Sequence, residues 1–383
     1  MSAPNRTSPN RVLRPPAEIT FSSELAALQA TDTAPRPTGW KLSPKAVRTF
    51  IVGSDGRKLP HQSNGQRGEI EIRRKFYGDD ALIDRCIVTL LGHRGLLLVG
   101  EPGTAKSMLS ELLAAAICGE STLTIQGTAG TTEDQIKYSW NYAVLLAEGP
   151  QLKALVPSPI YTGMKRGAVV RFEEVTRCQP EIQDTLVSIL SEKILHVPEL
   201  SGDDAIVFGA QGFNIIATAN LRDRGVHEMS SALKRRFNFE TVHPIGDRAL
   251  ELRLVTEETE KLLRDAELEV ACPPDVMDLL VSTFHDLRTG RTDSGVVIEK
   301  PSTVMSTAEA VAVGYSAGLD AHYFGVGKME GAHVARQLAG TLVKDNPDDI
   351  KKIRHYFDAV VKLRAKNSKA WQSCWEARKH IGL

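Results

Sequence analysis

The chain has 383 residues, 42% hydrophobic and 25% charged, with 47 Lys+Arg balancing 47 Asp+Glu. These proportions exclude collagen-like, wholly disordered and disulfide-scaffold classes, and the absence of any run of about 18 apolar residues argues against membrane insertion. The zero net charge hides an asymmetry: residues 1–75 carry 13 basic against 6 acidic side chains and residues 351–383 carry 9 against 2, so the middle holds 25 against 39. Two basic ends flanking an acidic body point to different jobs or partners along one chain.

Eight of the 19 prolines fall within the first 60 residues, among many Ser, Thr and Asn. That composition predicts a Pro-rich N-terminal extension over 1–67, disordered or extended over much of 1–39. No apolar core or cleavage site follows Met1, so no secretory leader is expected. Inside the extension, Ser43-Pro44 followed by apolar Ala46, Val47, Phe50 and Ile51 and then Gly53 predicts a short capped helix near 44–52. Trp40 just before it reads equally as a dock for that helix on the body and as a local hydrophobic staple.

From about Gly68 the pattern turns regular. Leu82, Ile83, Ile87, Val88 and Leu91 recur at helical spacing, and Gly95-Leu-Leu-Leu-Val-Gly100 suits a buried parallel strand. A helix is predicted over Lys106–Cys118, closed by Gly119, with strands at Thr122–Ile125, Ala168–Phe172 and Phe213–Ala219. Strands alternating with helices predict an α/β sandwich with a parallel sheet over 68–244. Beyond Pro244 the pattern is helical (246–265, 273–288, 303–317 and the last 35 residues), a helical domain over 245–383. Five widely spaced cysteines without CxxC argue for reduced thiols in a cytoplasm and against a zinc site.

Gly100-Glu101-Pro102-Gly103-Thr104-Ala105-Lys106-Ser107 lies between the predicted strand and helix, the context a nucleotide phosphate loop requires. Its backbone N–H groups and the helix N-terminus would cradle phosphate oxygens. Lys106 would reach the β and γ phosphates of ATP, and the Ser107 hydroxyl would ligate Mg²⁺. Ala105 stands where the loop usually has glycine, tolerable if its φ stays negative.

Val169-Val-Arg-Phe-Glu173-Glu174 is an apolar strand ending in two carboxylates that alternation points apart. Glu173 would hold Mg²⁺ through water, one methylene longer than the usual Asp, and Glu174 would act as general base on the attacking water. Phe213-Asn-Ile-Ile-Ala-Thr-Ala-Asn220 places an amide to hydrogen-bond that water or the γ-phosphate. Ser231-Ala-Leu-Lys-Arg-Arg-Phe237 offers cations after a short helix, with Arg236 the first choice and Arg235 the second for an arginine finger.

These four segments, in this order and spacing, resemble AAA+ ATPases of the MoxR type, within the helix-2-insert clade. The resemblance covers about residues 68–320 and implies a P-loop αβα core with a helical C-terminal lid, a hexameric ring with ATP between subunits, and chaperone-like remodelling or cofactor loading of a partner, often one with a von Willebrand factor A domain. It assigns Gly100–Ser107 as Walker A, Glu173 and Glu174 as Walker B, Asn220 as sensor 1 and Arg236 as the finger. It also places Tyr77 and Gly78 beside adenine, and the helix-2 insertion, with Trp140 and Tyr142, over 129–167 facing a central pore. Where the family has a lid arginine sensing the γ-phosphate, Lys300-Pro-Ser-Thr-Val304 puts Val304. That departure and the longer Glu173 imply slow or partner-stimulated hydrolysis. An ATP-dependent scaffold ring with little turnover is the second reading. A nucleic-acid-acting motor, suggested by the basic C-terminal segment, is disfavoured by the acidic body and the lack of a base-reading motif.

Overall fold

The computed structural model describes residues 14–63, 66–220, 225–302, 305–342 and 346–381. Two compact units emerge: one takes in the described residues up to Gly100 together with Ala105–Val242, the other Glu101–Thr104 and the residues from His243 onward.

In the first unit, α1 (Ala17–Thr20) and α2 (Ser22–Thr31) lead into α3 (Pro44–Val52). The third helix starts as expected: Ser43 accepts the Ala46 N–H, Pro44 takes the first helical position, and the chain leaves through Gly53 at φ +101°. The expectation of a disordered or extended arm fails over 14–39. Ala27, Leu28 and Trp40 are buried in one cluster with Phe50 and Ile51 of α3 and with Leu96 and Leu113 further along the chain. Polar ties hold the arm as well. The Glu18 carboxylate accepts the Ser121 N–H at 3.1 Å and its hydroxyl at 2.6 Å, and Glu24 pairs with the buried Lys75 ammonium. Residues 14–63 are thus part of the core unit, not a separate extension.

The antiparallel pair β1 (Lys58–Ser63) and β2 (Gln66–Glu71) precedes α4 (Asp80–Leu91), which Asp79 caps. Then follow β3 (Gly95–Val99), α5 (Lys106–Cys118) and β4 (Thr124–Gln126). Gly119 closes α5 in the left-handed region at φ +72°, its N–H returning to the Ala115 carbonyl. The 129–167 segment comprises α6 (Glu133–Ile136), β5 (Tyr138–Trp140), α7 (Tyr142–Glu148), β6 (Leu155–Pro157) and α8 (Pro159–Arg166). Strands β5 and β6 pair antiparallel around α7, whose Tyr142 and Leu146 are exposed. After β7 (Val169–Glu173) come α9 (Pro180–Asp184), α10 (Leu186–Glu192), the hairpin β8 (Ile194–His196) and β9 (Ile206–Phe208), β10 (Asn214–Ala219), α11 (Ser231–Lys234) and β11 (Phe237–Thr241).

Five strands form one parallel sheet in the order β11-β3-β10-β7-β4. Alternation along β3 explains why its run is apolar throughout. Leu96 and Leu98 enter the cluster built with α3, α4 and α5, while Leu97 and Val99 enter the opposite one with Val170, Phe172 and Ile215. Glycine at position 95 is required by packing, since a Cβ there would come within 2.6 Å of the Phe237 ring.

The second unit is helical among its described residues: α12 (Arg248–Asp265), α13 (Pro274–Thr289), α14 (Thr307–Tyr323), α15 (Gly331–Leu342), α16 (Pro347–Tyr356), α17 (Lys362–Arg364) and α18 (Lys369–Glu376), with a π-helical stretch at Phe357–Val361. Its core includes Leu280, Phe284, Val313, Leu338 and Trp371. One buried ion pair pins three helices together. The Glu251 carboxylate, with no solvent exposure, accepts both Nη groups of Arg288 and the Thr307 hydroxyl at 2.6 Å. Arg288→Ala would leave that carboxylate buried without its cation, which should destabilise this unit by about 3–5 kcal/mol. Urea unfolding followed by far-UV circular dichroism reads the loss.

Candidate functional site

Register brings the carboxyl ends of three strands together. Ala219 lies opposite Val99 across β10 and β3, and Ala217 lies opposite Phe172 across β10 and β7. Gly100, Asn220 and Glu174, each the next residue past its strand, therefore share one edge of the sheet.

The loop from Gly100 to Ser107 turns at this edge into α5. The Thr104 hydroxyl donates to the Glu101 carbonyl at 2.9 Å, and Gly103 sits at φ +73°, where glycine is needed. Lys106 is buried, and its Nζ donates to the Gly100 carbonyl at 3.1 Å. No side chain caps the start of this 13-residue helix, and its first turn has no acid, so the field there favours an anion. Ala105 breaks the condition set by the sequence. Its φ is +64° rather than negative, a left-handed conformation that its Cβ opposes. Ala105→Gly is accordingly expected to stabilise the unit by about 1 kcal/mol, a rise in melting temperature of roughly 2–4 °C by calorimetry.

Glu173 and Glu174 part as alternation requires. Glu173 points inward and is almost buried, accepting hydroxyl hydrogen bonds from Ser107 and Ser110, each at 2.6 Å, and from Thr218 at 2.8 Å, and pairing with Arg171 at 2.8 Å. Burial alone would raise its pKa. The Ser107 and Ser110 hydroxyls, the Arg171 charge and the Thr218 hydroxyl outweigh it and hold the carboxyl below its ordinary value. Glu174 lies past the strand end in the left-handed region at φ +54°, its N–H donated to the Thr218 hydroxyl at 2.9 Å and its partly exposed carboxylate paired with Arg177. At the end of β10, the Asn220 Oδ1 is buried and accepts no hydrogen bond among the described residues.

Lys106, Ser107, Glu173, Glu174 and Asn220 thus gather at one sheet edge. The donor set fits a magnesium nucleotide: an uncapped helix N-terminus with a lysine for phosphates, a hydroxyl beside an ionised carboxylate for the metal, and an orphaned amide oxygen. Tyr77, half-buried, and Gly78, exposed, occupy the turn before α4. Arg235 and Arg236 lie elsewhere, at the start of β11 on the opposite edge, where the Gly95 N–H donates to the Arg236 carbonyl at 2.9 Å. Val304 falls outside the described residues. Ser302, two residues before it, gives its N–H and hydroxyl to the buried Asp349 carboxylate.

Sequence reasoning passed over three members of this cluster: Arg171, Ser110 and Thr218. A signal for the first was present, because a charged residue inside an apolar strand, two positions before Glu173, must share its face.

Residues 95–237 match the AAA domain of the dynein-related subfamily, and residues 249–382 match the YehL-like AAA+ ATPase C-terminal domain. The chain is 46% identical over 372 residues to the uncharacterized protein YehL of Escherichia coli K12, covering 97% of this chain and 98% of that one. An uncharacterized protein of Staphylococcus aureus USA300 is 26% identical over 145 residues, 38% of this chain and 54% of its own. Among solved structures, NtrX from Brucella abortus is similar at 11% identity with a TM-score of 0.48, covering 79% of this chain. The chain spans 64% of that structure's length. NtrX in complex with ADP gives 12% identity and a TM-score of 0.47. Its two matched domains and its near full-length likeness to YehL place the chain in a family: it belongs to the YehL-like AAA+ ATPases.

Proposed function

We propose that the chain hydrolyses ATP, slowly or under stimulation by a partner, and uses the cycle to remodel, assemble or load cofactor into another protein. A partner with a von Willebrand factor A domain fits the MoxR-type resemblance, as do a hexameric ring and a cytoplasmic setting. The observation that carries this reading is the convergence of Lys106, Ser107, Glu173, Glu174 and Asn220 on one edge of the sheet. In it, Lys106 orients the β and γ phosphates, Asn220 orients the attacking water, and Glu174 takes the proton from that water. Magnesium, held by Ser107 and through water by Glu173, would supply charge neutralisation at the phosphates.

A scaffold ring with little turnover is the second reading, favoured by the strained Ala105 and by the Arg177 pairing that holds Glu174. An ATPase assay separates the two: activity that vanishes in Lys106→Ala and Glu174→Gln excludes the scaffold. The nucleic-acid motor loses support, because basic residues of the C-terminal segment are engaged within their own unit. Arg364 pairs with Asp286 and stacks on Trp371, Arg378 lies 4.0 Å from the Trp375 ring, and Lys352 pairs with the buried Asp349.

The deciding experiment is affinity capture with Glu174→Gln in ATP. A partner retained in ATP, released without nucleotide and missed by Lys106→Ala supports the remodelling reading. Retention indifferent to nucleotide overturns it.

A further inference from the structure

Arg171 lies in the middle of β7, two residues before Glu173 and on the same face, and is 9% exposed. All five of its N–H donors have acceptors. Nε donates to the Ser110 hydroxyl at 2.9 Å. Nη1 donates to the Ser121 carbonyl at 3.1 Å and to the Thr124 hydroxyl at 3.4 Å. Nη2 donates to the Ser107 carbonyl at 3.0 Å and to Glu173 Oε1 at 2.8 Å. One guanidinium therefore joins the metal-side carboxylate to the first turn of α5, to the edge strand β4 and to the residue that opens the segment before it.

The two oxygens of Glu173 are divided by this arrangement. Oε1 is taken by Arg171 and the Ser110 hydroxyl, while Oε2 faces the Ser107 and Thr218 hydroxyls. A glutamate has one more rotatable bond than the aspartate usual at this position, and a loose carboxylate would hold a metal's water poorly. Restraints on both oxygens remove that freedom, and they do so in a buried site where an arginine fork loses little entropy per bond.

We propose that Arg171, with Ser110 as its bridge, is the positioning residue that lets a glutamate serve as the metal-side carboxylate: the arginine and the longer acid are a matched pair. Replacing Glu173 by the shorter aspartate then harms the site instead of normalising it, because the carboxylate withdraws from Arg171 and Ser110. The inference rests on the magnesium–ATP reading of the site.

The test uses the full chain and a fluorescent N-methylanthraniloyl ATP, titrated with and without Mg²⁺, so that turnover is not the readout. The gain in nucleotide affinity on adding Mg²⁺ is the quantity compared. Arg171→Met and Glu173→Asp are each expected to reduce that gain about tenfold, as loss of a metal site's supporting shell does, with Mg²⁺-free affinity changed less than about twofold. Arg171→Lys, which keeps the charge but reaches fewer partners, should recover part of it, and Ser110→Ala should fall in between. In the double variant Arg171→Met/Glu173→Asp the losses should not add, since either change breaks the same pair.

Glu173→Asp with a gain equal to or above that of the wild type overturns the proposal. So do additive losses, or variants that weaken binding equally with and without Mg²⁺. If Arg171→Met does not fold, Glu173→Asp and Ser110→Ala decide by the same criteria. A wild type that binds the analogue with no Mg²⁺ gain overturns the metal assignment itself, whereas a wild-type gain indifferent to these substitutions overturns the matched pair alone.

Discussion

Glu174→Gln is expected to lower ATP turnover by about 10²–10⁴-fold while ATP affinity stays within a few-fold of the wild type. The amide keeps the shape of the side chain and loses the basic oxygen that would accept the water's proton. The backbone should tolerate the change. Position 174 is already held at φ +54° by the Thr218 hydroxyl on its N–H, a contact that glutamine leaves in place. What the variant gives up is the ion pair with Arg177, which is partly exposed and contributes little to stability. Lys106→Ala makes the contrast. It removes the ammonium that would meet the phosphates, so affinity falls along with turnover. Paired isothermal titration and phosphate-release assays distinguish these patterns. Turnover by Glu174→Gln at the wild-type rate would remove Glu174 as base and leave the water's proton to another group.

The parts of this site that were legible in the sequence are those specified locally. The phosphate loop needs a strand, a glycine turn and a helix in immediate succession, and Gly95–Cys118 spells that out within one stretch. The acids at 173 and 174 and the amide at 220 were legible because each closes a mainly apolar run of strand-like residues. Long-range pairings were opaque. The arm over 14–39 reads as disordered by composition, yet it is fixed by partners far along the chain: Ser121 for Glu18, and Lys75 for Glu24. No local pattern carries such a pairing. The antiparallel pairing of β1 and β2 is hidden in the sequence, because Pro60 and the polar composition mask the alternation. Strand β11 is obscured in the sequence by the cations of Ser231–Phe237, which stand before the alternating Phe237, Phe239 and Thr241. The φ of Ala105 is a further case. The tight turn from β3 into α5 sets the backbone there, against alanine's own preference.

Arg236→Ala is expected to cut turnover by about 10³-fold or more with ATP affinity retained. The reason lies in the sheet. Phe237 is opposite Gly95 and Thr241 opposite Val99, so Arg236 immediately precedes β11 at the amino edge while the Gly100–Ser107 loop leaves β3 at the carboxyl edge. At about 3.3 Å per residue the two are roughly 20 Å apart along the strand direction, beyond an arginine's reach, so this cation would have to serve a neighbouring subunit's nucleotide. Its present contacts are compatible with that service. Nε donates to the Ser191 hydroxyl at 2.6 Å and Nη1 to the Ala232 carbonyl at 2.7 Å, neutral acceptors that leave its charge uncompensated, and no carboxylate pairs with it among the described residues. Arg235 is exposed and makes no side-chain hydrogen bond or ion pair among the described residues, so Arg235→Ala is the matched control and should cost far less. Mixing settles the geometry. Arg236→Ala subunits keep an intact Glu174, and Glu174→Gln subunits keep an intact Arg236. Sites shared between neighbours should regain activity when the two inactive variants are combined, in proportion to the mixed interfaces formed. If the mixture stays as inactive as its parents while wild type and variant co-assemble, Arg236 does not act across an interface. If Arg236→Ala alone turns over normally, it is not the finger, and a large loss in Arg235→Ala would transfer the role to its neighbour.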